Sequence, residues 1–221
     1  MNNTDPVAQH AKEVVAMRYF LLGRNYHTAA AALEFAADLH DGMRKDGRHP
    51  EFSHQIFQAN YLRTLESGLL FPEETLASTF LHDTCEDCGV GVEEIAARFG
   101  DRVATATRRL SKKLRGRTIP YETYFAEIAK DPVASLVKGV DRGHNIFTMA
   151  GAGWGLEKQE KYLDEVSRWF LPMLKEARRA FPQQEAAYEN IKALLKVQMA
   201  HIGLNLEHAR AVAEAPSGPR P

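Results

Sequence analysis

The chain has 221 residues, of which 44% are hydrophobic, and a formal net charge of −1. This length suffices for one sizeable hydrophobic core, so we expect a single domain over residues 1–221. No run of about 18 apolar residues occurs, and the N-terminus MNNTDPVAQHAKEVV lacks the segments of a secretory leader. We therefore expect a cytoplasmic protein without a membrane partner. The near-zero charge argues against binding of a nucleic-acid polymer, which requires a strongly basic face.

The spacing of apolar residues predicts an all-α fold, a single compact helical bundle. Apolar residues recur every three or four positions, and no convincing run of alternating β-branched residues occurs. The alanine-rich segment YHTAAAALEFAADLHDGMRKDG is predicted to form one helix that ends at Gly47, with Arg44 and Lys45 in its last turn. FSHQIFQANYLRTLESG is predicted to form a second helix that ends near Gly68.

A third helix is predicted for FPEETLASTFLHDTCEDCG, residues 71–89, which opens with proline and two glutamates. Cys85 and Cys88 form a C-x-x-C pair near its end. That spacing suits a redox pair or half of a zinc site, but no strand precedes it and no second cysteine pair exists. We interpret the pair as two reduced cysteines, one of which packs on the core.

Two short helices are predicted next, at VEEIAARFG and from Asp101 onwards. The basic run RRLSKKLRGR follows at residues 108–117. Such a run is typical of a solvated helix end leading into a loop. Alternatively, it is a mobile flap that helps to draw in an anionic ligand, and its contact with substrate is left open.

The helix that begins after Asp131-Pro132 changes character along one face. The face carries valines at positions 133, 137 and 140 and then turns polar at Asp141, His144, Asn145 and Thr148. Buried polar groups require partners, which suggests an internal polar site, although a wet or partner-facing helix end has the same pattern. Glycines at 151, 153 and 155 then break the helix. Two further helices are predicted over residues 157–180 and 183–213, followed by a disordered tail at 214–221.

The segment HDTCED places four ionisable groups within six residues. Glu86 lies four residues after His82, and Asp87 four residues after Asp83, so all four side chains can crowd one helix end. Adjacent positions on a helix diverge by about 100°, but a large cation near the helix end can still collect them. Crowded carboxylates are unfavourable without a compensating cation, so a divalent metal is the economical explanation. An additional imidazole from His54 and a carboxylate from the polar helix could complete the set.

These motifs together resemble a known family. The pattern of His54, His82-Asp83 and Asp141 resembles the HD-domain superfamily of metal-dependent phosphohydrolases. The ordered segments ADLHDGMRKDG, HDTCED, VEEIAARFGDRVA and DRGHNIFTM are similar to the hydrolase domain of RelA/SpoT-type proteins, over residues 27–165. Residues 166–213 are expected to be C-terminal helices, and the layout resembles that of stand-alone small alarmone hydrolases such as the metazoan SpoT homologue.

The resemblance implies an activity. The family removes pyrophosphate from the ribose 3′ position of guanosine or adenosine alarmones, usually with manganese, and leaves a nucleoside 5′-di- or triphosphate. Zinc or iron could bind the same donors. The metal ligands implied are His54, His82, Asp83 and Asp141, while Glu86 and Asp87 would orient and deprotonate the attacking water.

The resemblance also implies contacts with the nucleotide substrate. Arg44 and Lys45 resemble the residues that lie against the base, and Asn145 and Thr148 resemble contacts with the sugar and base edge. Arg142 and His144 belong to the same substrate-binding set. The segment GWGLEKQEKY further suggests Lys158 and Tyr162 as contacts with the 5′ phosphates.

Two positions depart from the family pattern, and alternatives remain. Gln55 stands where a proline usually follows the first histidine ligand, and Gly143 stands where a bulky residue is usual. We expect these changes to affect the pocket shape, so the choice between guanosine and adenosine is left open. An HD phosphohydrolase for a deoxynucleotide, a cyclic nucleotide or the 2′-phosphate of NADPH is the nearest competitor. A non-catalytic helical binding module is the alternative from another class, and the oligomeric state is left open.

Overall fold

The computed structural model describes residues 5–44, 46–114, 116–149 and 153–214, without the side chains of residues 213 and 214. Within these ranges the helices are α1 (Pro6–Gly23), α2 (His27–Leu39), α3 (Ser53–Arg63), α4 (Pro72–Leu81), α5 (Thr84–Asp87), α6 (Val92–Phe99), α7 (Asp101–Leu110), α8 (Tyr121–Ala129), α9 (Ala134–Met149), α10 (Leu156–Glu165), α11 (Leu171–Ala180) and α12 (Glu185–Glu214). None of these helices has the length and apolar character needed to span a bilayer.

The predicted all-α bundle is confirmed, with one small addition. Strands β1 (Lys113–Leu114) and β2 (Arg117–Thr118) form an antiparallel ribbon in which Lys113 pairs with Thr118 and Leu114 with Arg117. This ribbon occupies the second half of the basic run, which the sequence analysis described as a loop or flap. It is too short for an alternating pattern to be recognised in the sequence.

Helix α4 lies at the centre of the bundle. Its residues from Thr75 to Leu81 are all buried, and it packs against α2, α3, α7 and α9. Helix α9 is almost as deeply buried and packs against α3, α4 and α12. Because α3, α4 and α9 meet in the core, polar side chains on their facing surfaces are held close together and shielded from water.

Two of the predicted helix boundaries were wrong. The helix predicted to reach Gly47 ends at Leu39, and a loop follows in which Met43 bridges Pro50 and Arg44 N–H donates to His49 O at 2.8 Å. The apolar periodicity stops at Leu39, and the aspartates and glycines beyond it favour turns over helix. Arg44 is therefore a loop residue.

The second wrong boundary lies inside HDTCED. The helix predicted to run to Gly89 is interrupted at residues 82 and 83, where His82 is the C-cap of α4 and Asp83 precedes α5. Asp83 has φ −100° and ψ −8°, so the chain turns at this point without positive φ. The interruption changes the direction in which the two neighbouring side chains project.

The remaining predicted elements are confirmed in outline. Asp131 caps α9, since its Oδ1 accepts from the N–H groups of Val133 and Ala134, both at 2.9 Å. Helices α10 and α11 are joined through a π-helical turn at Val166–Phe170, and α12 follows. The predicted tail falls beyond the described residues, apart from residue 214, whose backbone belongs to α12.

Candidate active site

Three helices bring a pair of histidines and a carboxylate to one buried point. His54 lies on α3, His82 at the end of α4 and Asp141 on α9. Asp141 Oδ1 lies 3.1 Å from His54 Nε2 and 3.9 Å from His82 Nε2. One potential ligand atom from each residue lies within 4.8 Å of the others, and all three residues are buried. The residues predicted from distant sequence segments are thus neighbours in space.

Asp83 joins this group because the helix is interrupted beside it. Its Oδ2 lies 2.9 Å from His82 Nε2, and its side chain is 36% exposed. Against the effect of burial, His82 holds the pKa of Asp83 below its usual value. Asp83 therefore presents an ionised oxygen at the solvent side of the three buried donors.

The hydrogen bonds of His82 leave one nitrogen available to a cation. Its Nδ1 lies 2.8 Å from the carbonyl oxygen of Thr79 and donates to it, which leaves Nε2 unprotonated in the neutral ring. This buried Nε2 lies 2.9 Å from Asp83 Oδ2, although the contact lacks the geometry of a hydrogen bond. Although burial opposes its charge, Asp83 raises the pKa of His82 to about 9. The two carboxylates thus favour a positive charge at this nitrogen, which a proton or a divalent metal supplies.

His54 and Asp141 are held by further partners. His54 Nδ1 lies 2.6 Å from His144 Nδ1, and burial lowers the pKa of His54. Asp141 Oδ1 accepts from Asn145 Nδ2 at 2.8 Å, and Oδ2 accepts from Lys138 Nζ at 2.9 Å. Burial opposes ionisation, but Lys138 keeps the pKa of Asp141 well below its usual value. Such outer contacts orient ligands toward a metal.

A cleft of about 350 Å³ opens from these residues. Asp83, Glu86 and Asp87 line one side of it. Glu86 Oε2 accepts from the backbone N–H of Lys112 at 2.8 Å, so this carboxylate also fixes the start of the basic ribbon. Burial, together with the charges of Asp83 and Glu86, raises the pKa of Asp87. The two carboxylates thus face the cleft beside the proposed metal position.

A second cavity of about 330 Å³ adjoins the cleft and contains the residues predicted to bind the nucleoside. Arg44 and Asn145 line both cavities, and Thr148 lines the second one together with Trp154. Thr148 Oγ1 donates to His144 O at 3.0 Å. Lys45, predicted to act with Arg44, lies outside the described residues.

The other predicted substrate contacts are more scattered. Arg142 lines the cleft, with its guanidinium 3.6 Å from the ring centre of Tyr162. Tyr162 is thus behind Arg142, and burial raises its pKa to about 12. Lys158 Nζ lies 3.9 Å from the ring centre of Trp154, a residue that lines the second cavity. His144 packs against Phe57 with ring centres 4.2 Å apart, and its Nδ1 lies 2.6 Å from His54 Nδ1.

The two departures from the family pattern lie in different surroundings. Gln55 lines the cleft, is buried, and has an Oε1 without a partner among the described residues. Gly143 faces α12, where an added Cβ would lie 3.1 Å from Leu194 Cδ2. The expectation that Gly143 shapes the pocket was wrong, because the helix that packs against it fills that space.

The cysteines agree with their interpretation as reduced residues. Both are free, with Cys85 buried in the core and Cys88 half-buried. Cys88 Sγ lies 3.8 Å from His40 Nε2.

Several residues of the cleft were not identified in the sequence. Lys138 precedes Asp141 by three positions, so helical spacing could have placed it on the same face. Four aromatic residues that line the cleft were also missed. They lie on α8 and in the π-helical turn, and they are Tyr121, Tyr124, Phe125 and Phe170. No local pattern distinguishes these aromatic residues from ordinary core residues.

Comparison with known proteins relates part of this chain to a known family. Residues 32–119 match the family described as HD domain. This part of the chain is therefore similar to an HD domain. The match contains the first three metal-ligand positions of the predicted set, and the resemblance to RelA/SpoT-type proteins is confirmed by the relatives described next.

Curated relatives of this chain include two named as hydrolases. The probable guanosine-3′,5′-bis(diphosphate) 3′-pyrophosphohydrolase of Synechocystis is 32% identical over 147 residues, covering 63% of this chain and 19% of the relative. The guanosine-3′,5′-bis(diphosphate) 3′-pyrophosphohydrolase of Aquifex aeolicus is 32% identical over 149 residues, covering 64% of this chain and 20% of the relative. The match thus spans about a fifth of each relative's length.

A solved structure supports the fold. The structure described as "A metazoan ortholog of SpoT hydrolyzes ppGpp and plays a role in starvation responses" aligns with a TM-score of 0.57 and 23% identity. The alignment covers 74% of this chain and 93% of that one. The helical arrangement predicted from the sequence is therefore that of a known fold.

Proposed function

We propose that this HD domain hydrolyses the 3′-pyrophosphate of alarmone nucleotides in a manganese-dependent reaction. The products are pyrophosphate and a nucleoside 5′-di- or triphosphate. The observation that carries the proposal is the convergence of His54, His82 and Asp141 at the base of a cleft, with Asp83 and Asp87 beside them. The names of the Synechocystis and Aquifex relatives support the choice of substrate.

The metal is held in this proposal by His54, His82, Asp83 and Asp141. A set of two imidazoles and two carboxylates suits manganese, and zinc and iron can use the same donors. When bound there, such a cation would supply Lewis-acid chemistry, lowering the pKa of water and stabilising charge at the phosphorus. The ring of His82 is oriented for this task by Thr79, and the carboxylate of Asp141 by Lys138 and Asn145.

The proton of the attacking water passes to the carboxylates at the mouth of the cleft. Asp87 is the proposed proton acceptor, because its raised pKa brings it closer to that of a general base at neutral pH. Glu86 orients the water, and its Oε2 accepts a hydrogen bond from the backbone N–H of Lys112. The new bond joins the water oxygen to the phosphorus next to the ribose. The bond from that phosphorus to the 3′ oxygen breaks, and the 3′ oxygen keeps the electron pair and takes a proton.

The nucleoside lies in the second cavity. Arg44 stacks against the base with Lys45, while Asn145 and Thr148 contact the sugar and the base edge. Arg142 and His144 complete the proposed substrate-binding set, and Lys158 is proposed to contact the 5′ phosphates. The proposal covers both guanosine and adenosine alarmones.

A nucleotide panel tests the proposal. The metal-replete protein is incubated with guanosine and adenosine 3′,5′-bisdiphosphates, a deoxynucleoside triphosphate, a cyclic nucleotide and NADPH, each with and without chelator. We expect pyrophosphate from the alarmones alone and none in chelator or with Asp141→Ala. Cleavage of another member of the panel with both alarmones inert would contradict the substrate choice. The absence of both bound metal and turnover would instead favour a binding module.

A further inference from the structure

The cleft ends, beyond the metal-binding residues, on four aromatic rings that no sequence motif includes. Phe125 lies at their centre, with its ring centre 5.9 Å from that of Tyr121, 5.3 Å from Tyr124 and 4.7 Å from Phe170. The hydroxyl of Tyr124 donates to the carbonyl oxygen of Leu110 at 2.5 Å, which fixes its ring. These contacts make a rigid floor for this end of the cleft.

Three cationic side chains lie over the faces of these rings and also line the cleft. The pairs are Lys112 Nζ above Tyr121 at 3.5 Å, Lys138 Nζ above Tyr124 at 5.8 Å, and Arg142 Cζ above Phe170 at 4.0 Å. Because Phe125 contacts all three of these rings, the cations are grouped around one small region. Aromatic faces attract cations and position them without neutralising their charge.

The carboxylates nearby leave part of this positive charge unmatched. Lys138 is paired with Asp141, and Arg142 Nη2 donates to Glu165 at 3.1 Å. Arg142 is only 7% exposed, yet its Nη1 has no hydrogen-bond partner in the described ranges. Lys112 has no carboxylate within ion-pair distance among the described side chains. Buried donors without acceptors are costly, so this end of the cleft is built to receive an anion.

The position of Lys112 is fixed by the active site itself. Glu86 Oε2 accepts the backbone N–H of Lys112 at 2.8 Å and that of Lys113 at 3.4 Å. The ribbon of β1 and β2 begins immediately afterwards. The same carboxylate that faces the cleft therefore holds the basic segment over the aromatic floor.

We propose that these residues form a diphosphate seat, which binds the 3′-diphosphate of the substrate and then the released pyrophosphate. The seat consists of Lys112, Lys138 and Arg142 above Tyr121, Tyr124, Phe125 and Phe170. This inference rests on the proposed function and adds the direction in which the substrate lies. The nucleoside lies toward Arg44, and the diphosphate points toward Phe125. A guanidinium and two ammonium groups match an anion with several negatively charged oxygens.

Paired lysine variants test the seat. Lys112→Gln and Lys113→Gln remove the same charge from neighbouring residues, but only Lys112 lines the cleft. We expect Lys112→Gln to weaken binding of inorganic pyrophosphate by about tenfold, as loss of a hydrogen bond to a charged group does. Lys113→Gln should bind it as the wild type does. Binding is measured by isothermal titration calorimetry on metal-loaded protein, with product inhibition as the second readout and melting temperature as the check on folding.

Inhibition by the other product distinguishes a specific diphosphate seat from a general loss of positive charge. Inhibition by the nucleoside 5′-diphosphate product should be the same in wild type and Lys112→Gln, because that product binds at the other end. Equal weakening of pyrophosphate binding in the two lysine variants, or none in either, would overturn the seat even if alarmones are hydrolysed. If alarmones are inert while pyrophosphate binding depends on Lys112 and not Lys113, the proposed function fails and the anion site stands.

Discussion

His82 and Asp83 are adjacent in sequence, yet their side chains meet at one point. On a continuous helix they would diverge by about 100°, but the helix is interrupted between α4 and α5. His82 Nε2 consequently lies 2.9 Å from Asp83 Oδ2. The segment HDTCED thus divides into a pair of predicted ligands and a pair of predicted water-handling carboxylates, Glu86 and Asp87, one turn later.

Two aspartate variants distinguish these roles. Asp83→Asn removes a charge from the metal-binding set, so we expect weaker metal binding and a lower melting temperature. Asp87→Asn should keep both the metal and the melting temperature but lower kcat by roughly 10²-fold, the usual size of a general acid-base contribution. Metal content, melting temperature and kcat are measured for both. Equal metal loss in the two variants would mean that Asp87 is a ligand.

The loop between α2 and α3 is the element that places Arg44 at the edge of both cavities. Asp46 organises it by accepting the N–H groups of Arg48 at 2.8 Å and His49 at 3.0 Å, and by pairing with the His49 ring at 2.6 Å. Burial opposes ionisation, but these contacts lower the pKa of Asp46 to about 2. The loop therefore has an anionic anchor at neutral pH.

Removing this anchor should affect substrate binding more than chemistry. We expect Asp46→Ala to raise KM by roughly 3- to 10-fold with a smaller change in kcat, since two or three hydrogen bonds that place Arg44 are lost. The control is Asp38→Ala, an exposed aspartate on α2. Because the folded pKa lies below the ordinary value of 3.8, the carboxylate stabilises the loop above about pH 4 and loses this effect as the pH falls toward 2. An unchanged KM in Asp46→Ala would show that the loop holds its shape without it.

The close packing of α9 against α12 explains why position 143 carries a glycine, where the family usually has a bulky residue. Gly143 faces Leu194, so we expect Gly143→Leu to destabilise the protein by about 1–3 kcal/mol, as overpacking does. Gly203 on α12 has open space around its Cα, and Gly203→Leu should not lower stability. Urea unfolding of both variants measures the difference. A shift in base preference without a loss of stability in Gly143→Leu would contradict the packing explanation.

At the scale of the whole molecule, the sequence predicted the bundle and that His54, His82, Asp83 and Asp141 would lie together, but only part of the cleft. Helical spacing identified the polar face of α9, and the resemblance connected it with His54 and HDTCED. The spacing could not show that α8 supplies Tyr121 and Phe125, because a core aromatic and a cleft aromatic look alike in sequence. The loop at Arg44 was missed although the aspartates and glycines after Leu39 favour turns, because the cations at 44 and 45 were interpreted as the last turn of a helix.

The metal should stabilise the whole bundle, because its ligands come from α3, α4 and α9. A ligand that binds only the folded state stabilises it by about 2.7 kcal/mol at a concentration of 100 Kd. We therefore expect chelation to lower the melting temperature of the wild type and to leave that of His82→Ala unchanged. Differential scanning calorimetry with and without chelator checks this. An equal shift in both proteins would mean that the stabilising metal lies elsewhere.

The measurement that tests the central claim most directly is product analysis in ¹⁸O-labelled water. Metal-replete protein is incubated with guanosine 3′,5′-bisdiphosphate, and the products are followed by ³¹P NMR and mass spectrometry. The proposed mechanism predicts one ¹⁸O atom in the released pyrophosphate and none in the nucleoside 5′-diphosphate. Label in the nucleoside product, release of orthophosphate from the 5′ side, or turnover that persists in chelator would contradict it.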